Sequence, residues 1–267
     1  MLTIEEIKTF IDEDARSVKK QLAKTSERYY EGDHDIRNYR LYYFNSDGQI
    51  VEDKNRSNIK ISHPFFTELV DQEVQYMLSG KDRFIRSDTP ELQAKLDEYF
   101  NENEDFTSEL YEVLTGAISK GFEYMWAYKK ADGTTAFKCA DSIGVVEVEA
   151  KFTRDKKPYI IYWYVERINT EGELVKKIIV FDEEFAYYFQ QTGNSGDIKE
   201  AENEDGRHQV AHIEYTKDQS GEIYYESLGF LPFFRLDNCK KQFSGLKTIK
   251  DLIDDYDLMS CGLSNNI

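Results

Sequence analysis

The sequence predicts an α+β chain: N-terminal helices, then an antiparallel β meander, then a closing helix. Three observations carry this. Apolar residues recur at helical spacing up to Gly121, the period drops to near two from Phe122 to about residue 240, and helical spacing returns at Leu246. Each change of period coincides with a residue suited to ending or starting an element.

Thr3-Ile4-Glu5-Glu6 has the capping-box pattern, in which the Thr hydroxyl and the Glu carboxylate satisfy orphan backbone N–H groups at a helix start. Ile4, Ile7, Ile11, Val18 and Leu22 then predict one amphipathic helix over about 4–27. A second helix follows Ser62-His63-Pro64, with Phe66, Leu69 or Val70, Glu73 or Val74, Met77 and Leu78 keeping the helical spacing and Gly80 as its stop. Thr89-Pro90-Glu91 opens a third, with Leu92, Leu96, Tyr99 and Phe100. Phe106, Leu110, Val113 or Leu114, Ala117 and Ile118 mark a fourth, ended by Gly121.

Beyond Gly121, aromatic and β-branched residues crowd into strand-like runs at 122–128, 145–152, 159–165, 175–181 and 186–189. Asp132-Gly133 and Thr170-Glu171-Gly172 supply turns, since glycine reaches the positive φ of a tight hairpin. Residues 192–206 hold one apolar side chain beyond Ala, Ile198, and are expected to form a mobile loop. Strand-like runs resume at 209–215, 222–226 and 230–236. Leu246, Ile249, Leu252 or Ile253, Tyr256, Met259 and Leu263 then form one helical stripe, with Gly262 as a possible stop near Cys261.

Of the 267 residues 40% are hydrophobic and 14% aromatic, enough for one large core or two smaller ones. No run approaches the roughly 18 consecutive apolar residues of a membrane span, and the N-terminus lacks a signal-peptide pattern, so a soluble protein made inside the cell is expected. Cys139, Cys239 and Cys261 lie far apart, which suggests neither a zinc site nor a disulfide framework. With 51 acidic and 34 basic residues the formal charge is −17, the wrong sign for gripping phosphates. Any DNA contact must be local or weak.

The residues offer little chemistry. His208 and His212 have the spacing of a helical metal pair, but the surrounding residues read as strand, where positions four apart are separated by about 13 Å. With His34 and His63 they are the chain's four histidines, the first place to look for a catalytic base or a metal. No nucleophile elbow, phosphate loop or HExxH motif is present. Asp251, Asp254, Asp255 and Asp257 could hold Mg²⁺ for a nuclease or other phosphoryl-transfer enzyme, but with Lys247 and Lys250 at helical spacing they read better as a solvated helix face. The 19 tyrosines could build a sugar-binding platform, yet in strands they point to packing or an interface. No catalytic residue, metal or cofactor is expected. An oligomer is, because the closing helix and the aromatic strands carry apolar surface that a monomer would have to hide.

Six collinear segments resemble portal proteins of siphophages that infect Gram-positive bacteria. They are Arg28-Tyr29-Tyr30-Glu31-Gly32-Asp33-His34-Asp35-Ile36, Asn58-Ile59-Lys60-Ile61-Ser62-His63-Pro64-Phe65-Phe66, and Leu69-Val70-Asp71-Gln72-Glu73-Val74-Gln75-Tyr76-Met77-Leu78-Ser79-Gly80. Then come Gly121-Phe122-Glu123-Tyr124, Leu231-Pro232-Phe233-Phe234 with Asn238, and Gly245-Leu246 through Asp251-Leu252-Ile253-Asp254-Asp255-Tyr256-Asp257. The resemblance implies a structural subunit of a homo-oligomeric, dodecameric ring at the capsid vertex of the virion, made in the host cytoplasm, with no enzymatic activity, cofactor or membrane association of its own. Double-stranded DNA would pass through its channel without tight binding. The terminase motor, scaffold or capsid protein and head-completion proteins would be its partners.

In family terms residues 1–240 would be the wing, helical over 1–121 and β-rich over 122–240, and residues 245–267 would begin a stem helix. Such proteins continue into a clip, a second stem helix, a tunnel loop and a crown, so a truncation after the start of the stem is expected. The assembly or channel element would be this last helix. Leu246, Ile249, Ile253 and Tyr256 would face the wing or a neighbouring subunit, and Lys247, Lys250, Asp251 and Asp254 the channel or a charge across the subunit boundary.

Overall fold

The computed structural model describes residues 1–80, 85–130, 133–167, 174–193, 196–203, 205–217, 222–226 and 228–265. It is α+β, as expected. Helix α1 (Ile4–Ala15) begins with the complete capping box at Thr3 and Glu6. The single helix read over 4–27 is in fact two. Ser17 leaves the helical conformation, and its hydroxyl accepts from the Lys20 N–H, so that α2 (Val18–Tyr30) starts afresh with its own cap.

A hairpin absent from the sequence reading follows, β1 (Tyr42–Phe44) and β2 (Ile50–Glu52), paired antiparallel around a turn in which Asn45 Oδ1 accepts from the backbone of Asp47 and Gln49. Helices α3 (Phe65–Leu78), α4 (Pro90–Leu96) and α5 (Glu104–Lys120) follow, α4 running on through one π turn at Asp97–Asn101. Gly121 ends α5 in the left-handed conformation at φ 103°, the role its position predicted. A Cβ there would also lie 2.7 Å from the Gln242 carbonyl.

The strands form more than one meander. β3 (Phe122–Lys129) lies between β4 (Thr135–Ala140), a strand not anticipated, and β13 (Phe233–Asp237), the last strand of the chain. The larger sheet holds β5 (Val145–Val148), β6 (Tyr159–Arg167), β7 (Leu174–Phe181) and β8 (Phe185–Thr192) as consecutive antiparallel neighbours. Residues 150–152, read as the end of a strand, are a 3₁₀ turn instead. Of the predicted turns, Gly133 has φ 80°, whereas Asp132 and Thr170-Glu171-Gly172 lie outside the described residues.

Both β9 (Ile198–Glu200) and β10 (Gln209–Ala211) pair with the outer edge of β8. The expectation of a mobile loop over 192–206 is therefore corrected for its described residues. Its one large apolar side chain, Ile198, is buried, and edge pairing with β8 satisfies the backbone around it. Replacing Ile198 with Ala should cost about 2–5 kcal/mol in urea unfolding, the range for truncating a core isoleucine. An unchanged midpoint would mean that β9 adds nothing to stability. The run read as one strand over 209–215 also divides: β10 ends at Ala211, and β11 (Ile213–Lys217) pairs with β12 (Glu222–Glu226) in a separate ribbon.

Period-two alternation gives the large sheet two buried faces. Val146, Val148, Tyr159, Ile161, Ile178, Val180, Tyr187 and Phe189 pack with Ile7 and Ile11 of α1, while the alternate residues Val145, Ile160, Ile179 and Phe181 pack with Phe122 and Tyr124 of β3. Lys20 ties α2 to this sheet: its ammonium is buried and donates to the carbonyls of Ser142 and Val145, 2.6 Å away in the second case, with Asp14 at 3.1 Å. A third core, of helices alone, receives the closing helix α6 (Lys250–Asn265). Gly262 lies inside α6 and does not end it. No helix among the described residues is long and apolar enough to cross a membrane.

Candidate functional site

The closing helix was the sequence's main candidate, and its seat contains the most completely buried polar network near it. Ser244 caps the 3₁₀ turn Gly245–Thr248 by accepting from the Leu246 N–H, which drops Leu246 into the helical core with no exposed surface. Ile253, one turn into α6, follows it, and Ile249 packs alongside. Their neighbours are Tyr29 of α2, Phe66, Val70 and Val74 of α3, and Leu114 and Ile118 of α5. So the apolar half of the predicted stripe packs on its own chain.

Directly above Ile253, one turn further, stands Asp257. It has no solvent-exposed surface, and its carboxylate accepts from His34 Nδ1 at 2.6 Å, His63 Nδ1 at 2.8 Å and the His63 backbone N–H at 3.0 Å. An acceptor-only carboxylate fixes a proton on each Nδ1. His34 is equally buried, stacked on Tyr29 with ring centroids 4.5 Å apart, its Nε2 lying 3.2 Å from the Tyr29 carbonyl. His63 stacks on Phe65 and meets the edge of Tyr256 at 4.7 Å. A buried charge of this kind persists only where hydrogen bonds replace its hydration.

An ionic row flanks this network. Lys250 donates to Asp35 at 2.7 Å and Asp254 at 2.5 Å, Arg28 donates to Asp35 at 2.6 Å, and the Tyr29 hydroxyl donates to Asp254. Burial acts to raise the Asp35 carboxyl, but the hydrogen bonds from Lys250 and Arg28 outweigh it and hold the group at about 2. Burial would likewise lower Lys250, and its bonds to Asp254 and Asp35 keep the ammonium above the ordinary lysine value. Since the folded value of Asp35 lies below its ordinary 3.8, this contribution is whole at neutral pH and fades as pH falls through about 4 towards 2. The stability lost in Lys250→Met should therefore shrink when urea midpoints are compared at about pH 6 and about pH 2.5. A loss that stays constant with pH would refute the pairing.

At its far end α6 is tied to the segment before α3. Cys261 Sγ accepts from the Ile61 N–H at 3.1 Å, and Asn265 Oδ1 from the Ile59 N–H at 2.7 Å. The remaining predicted residues lie at the rim of the seat or outside it. Lys247 lies over the Phe243 ring, Asp251 is exposed, and Tyr256 is partly exposed between His63 and Phe65.

The acids that might have held Mg²⁺ are thus divided. Asp254 and Asp257 serve Lys250, Tyr29 and the two histidines, while Asp251 and Asp255 are exposed, and among the described residues no three His, Cys, Asp or Glu side chains could hold a metal. The reading of these acids as a wholly solvated face is corrected at Asp257. Its place four residues after Ile253 and four before Cys261, in line with the buried stripe, was the available signal. His208 and His212 do not meet at a common site: they face the carbonyls of Ala201 and Phe185 respectively.

This arrangement anchors a helix. Comparison with known proteins agrees with a structural part. The model of a family described as phage portal protein, SPP1 Gp6-like, matches residues 8–267. The portal protein of Bacillus phage SPP1 is 26% identical over 234 residues, which cover 86% of this chain and 43% of that protein. The chain therefore spans less than half the length of this curated relative. With the family model running from α1 to the last residue, through every segment that builds the seat of α6, the chain belongs to the SPP1 Gp6-like family of phage portal proteins.

Proposed function

We propose that the chain builds the wall of a ring at the capsid vertex, with residues 1–240 as the radial wing and α6 as the start of the stem that lines a DNA channel. One observation carries the assembly part of this reading: after α6 has docked, a line of large apolar residues on it stays in water. Leu252, Met259 and Leu263 are 71%, 55% and 70% exposed. With Tyr256 they follow a three-four spacing, the pattern of a seam between helices. The hairpin adds Tyr42, Phe44 and Ile50, all more than half exposed. Surface of this kind marks a protein–protein contact. The formal charge of −17 suits a conduit along which DNA slides without being held. Docking of the terminase motor and head-completion proteins on such a ring belongs to the same proposal.

The test follows from the two sides of α6. Leu252→Asp combined with Met259→Asp alters only exposed positions, so the subunit should fold with an unchanged urea midpoint while native mass measurement shows the ring lost. Rings of undiminished mass would remove α6 from the subunit contact. Ile253→Asp cannot make this distinction, because Ile253 belongs to the subunit's own core.

A further inference from the structure

Away from α6, the chain passes from one sheet to another at a single residue. β10 ends at Ala211 on the edge of the large sheet, β11 begins at Ile213 in the separate ribbon, and His212 alone stands between them. Both of its N–H groups dock on the turn between β7 and β8. The backbone N–H donates to the Glu184 carbonyl at 3.1 Å, and ring Nε2 lies 3.2 Å from the Phe185 carbonyl. A carbonyl only accepts, so Nε2 carries the proton of the neutral ring and Nδ1 keeps a bare lone pair.

That lone pair is shut away. Nδ1 is buried without a hydrogen-bond partner, and the ring lies beside Phe181 with centroids 6.1 Å apart. A proton added there would make an N–H that meets neither water nor an acceptor in hydrogen-bonding geometry. The acids that face the ring, Asp182 and Glu184, sit on the same turn and favour the charged form. Asp182 is already occupied, its carboxylate accepting from the Glu184 and Phe185 N–H groups and the Tyr187 hydroxyl. β10 brings no charged residue to the joint, and β11 carries Glu214 and Lys217. Burial outweighs these acids and the pull of the Phe185 and Asp182 backbone, and holds the ring below the ordinary histidine value of 6.5.

We propose that His212 is an acid-sensitive pin: protonation at Nδ1 expels the ring from its seat and frees the β11–β12 ribbon from the edge of the large sheet. A released ring takes up a proton at the ordinary value, and a seated one less readily. The seat is therefore whole above about 6.5 and weakens as pH falls below it. Expulsion breaks the bond to Phe185 and loosens the one to Glu184, the two that hold the joint. The pin is a property of the single subunit and is independent of the ring.

Native-state amide exchange, corrected for the intrinsic effect of pH on exchange, tests the pin. Opening at residues 210–213 should become about five- to tenfold more frequent between about pH 7.5 and about pH 5.5, while β6 and β7 keep their protection. His212→Gln retains a side-chain N–H for the Phe185 carbonyl and cannot be protonated in this range, so it should stay protected at both pH values. His208→Gln, at the other end of β10, should respond to pH as the wild type does. The proton resonances of the His212 ring in the unaltered protein should titrate with a midpoint below 6.5. A midpoint at or above that value, exchange in the wild type that ignores pH, or a wild-type response persisting in His212→Gln would overturn the proposal. If His212→Gln proves loose at both pH values, the titration of the wild-type ring decides alone.

Discussion

Gly116→Ala should cost about 2–4 kcal/mol of stability, although alanine is the better helix former. Gly116 lies inside α5, where the exchange would ordinarily gain about 0.5–1 kcal/mol. Here a Cβ would run into the carboxylate of Glu123, with Cδ only 2.7 Å and Cγ 2.8 Å away. A surface glutamate would swing aside. Glu123 is 1% exposed, paired with Lys120, and accepts from the Ser142 N–H. Burial pushes its carboxyl up to about 7 even against the pull of Lys120, so no second buried position would receive it cheaply. Disrupting a buried ion pair costs about 3–5 kcal/mol, which exceeds the helix-propensity gain. Urea unfolding measures the balance, and the Glu123→Ala double-mutant cycle should show strong coupling. A change within about 0.5 kcal/mol would mean that Glu123 has room to move.

The second large effect should come from Asp257→Ala, a loss of about 3–5 kcal/mol from removing the carboxylate that His34 and His63 share. Three donors would be left facing an empty place, two of them on histidine rings and one on the backbone. The damage should be local before it is global: amide exchange in α6 should accelerate well beyond that in β6 and β7. Asp257→Asn should recover part of the loss, since its amide oxygen can still accept from His63. Unchanged protection of α6 in the alanine variant would show that Leu246 and Ile253 hold the helix unaided.

How legible this was depended on whether a signal was local. The capping box at Thr3, the stop at Gly121 and the alternation along β6 and β7 can be read from a few adjacent residues, and each stands where it was expected. The break at Ser17 was open to the same reasoning, because serine is a preferred cap, but the apolar beat of Ile11, Val18 and Leu22 ran across it. Val18 turns out to be exposed. The β1–β2 hairpin was likewise signalled by Asn45 and Gly48.

Other features depend on distant partners. Nothing near Gln209 says that β10 will join β8 while Ile213 begins another ribbon, since strand pairing is settled by which faces can be buried together. Asp257 is the clearest case at the site. Flanked by Tyr256 and exposed apolar residues, it looks like one more surface acid until His34, 223 positions earlier, is brought beside it.

The docking of α6 also sets an order of events. Its partners, Tyr29, His34, Ile59 and Ile61, are made early in synthesis, whereas Asp257, Cys261 and Asn265 come about two hundred residues later. The apolar faces of α2, α3 and α5 therefore wait, incompletely covered, while β3 to β13 are translated. Contacts of such long sequence separation slow folding and prolong the exposure of sticky surface. The nascent polypeptide is thus the state in which this helical core is least covered.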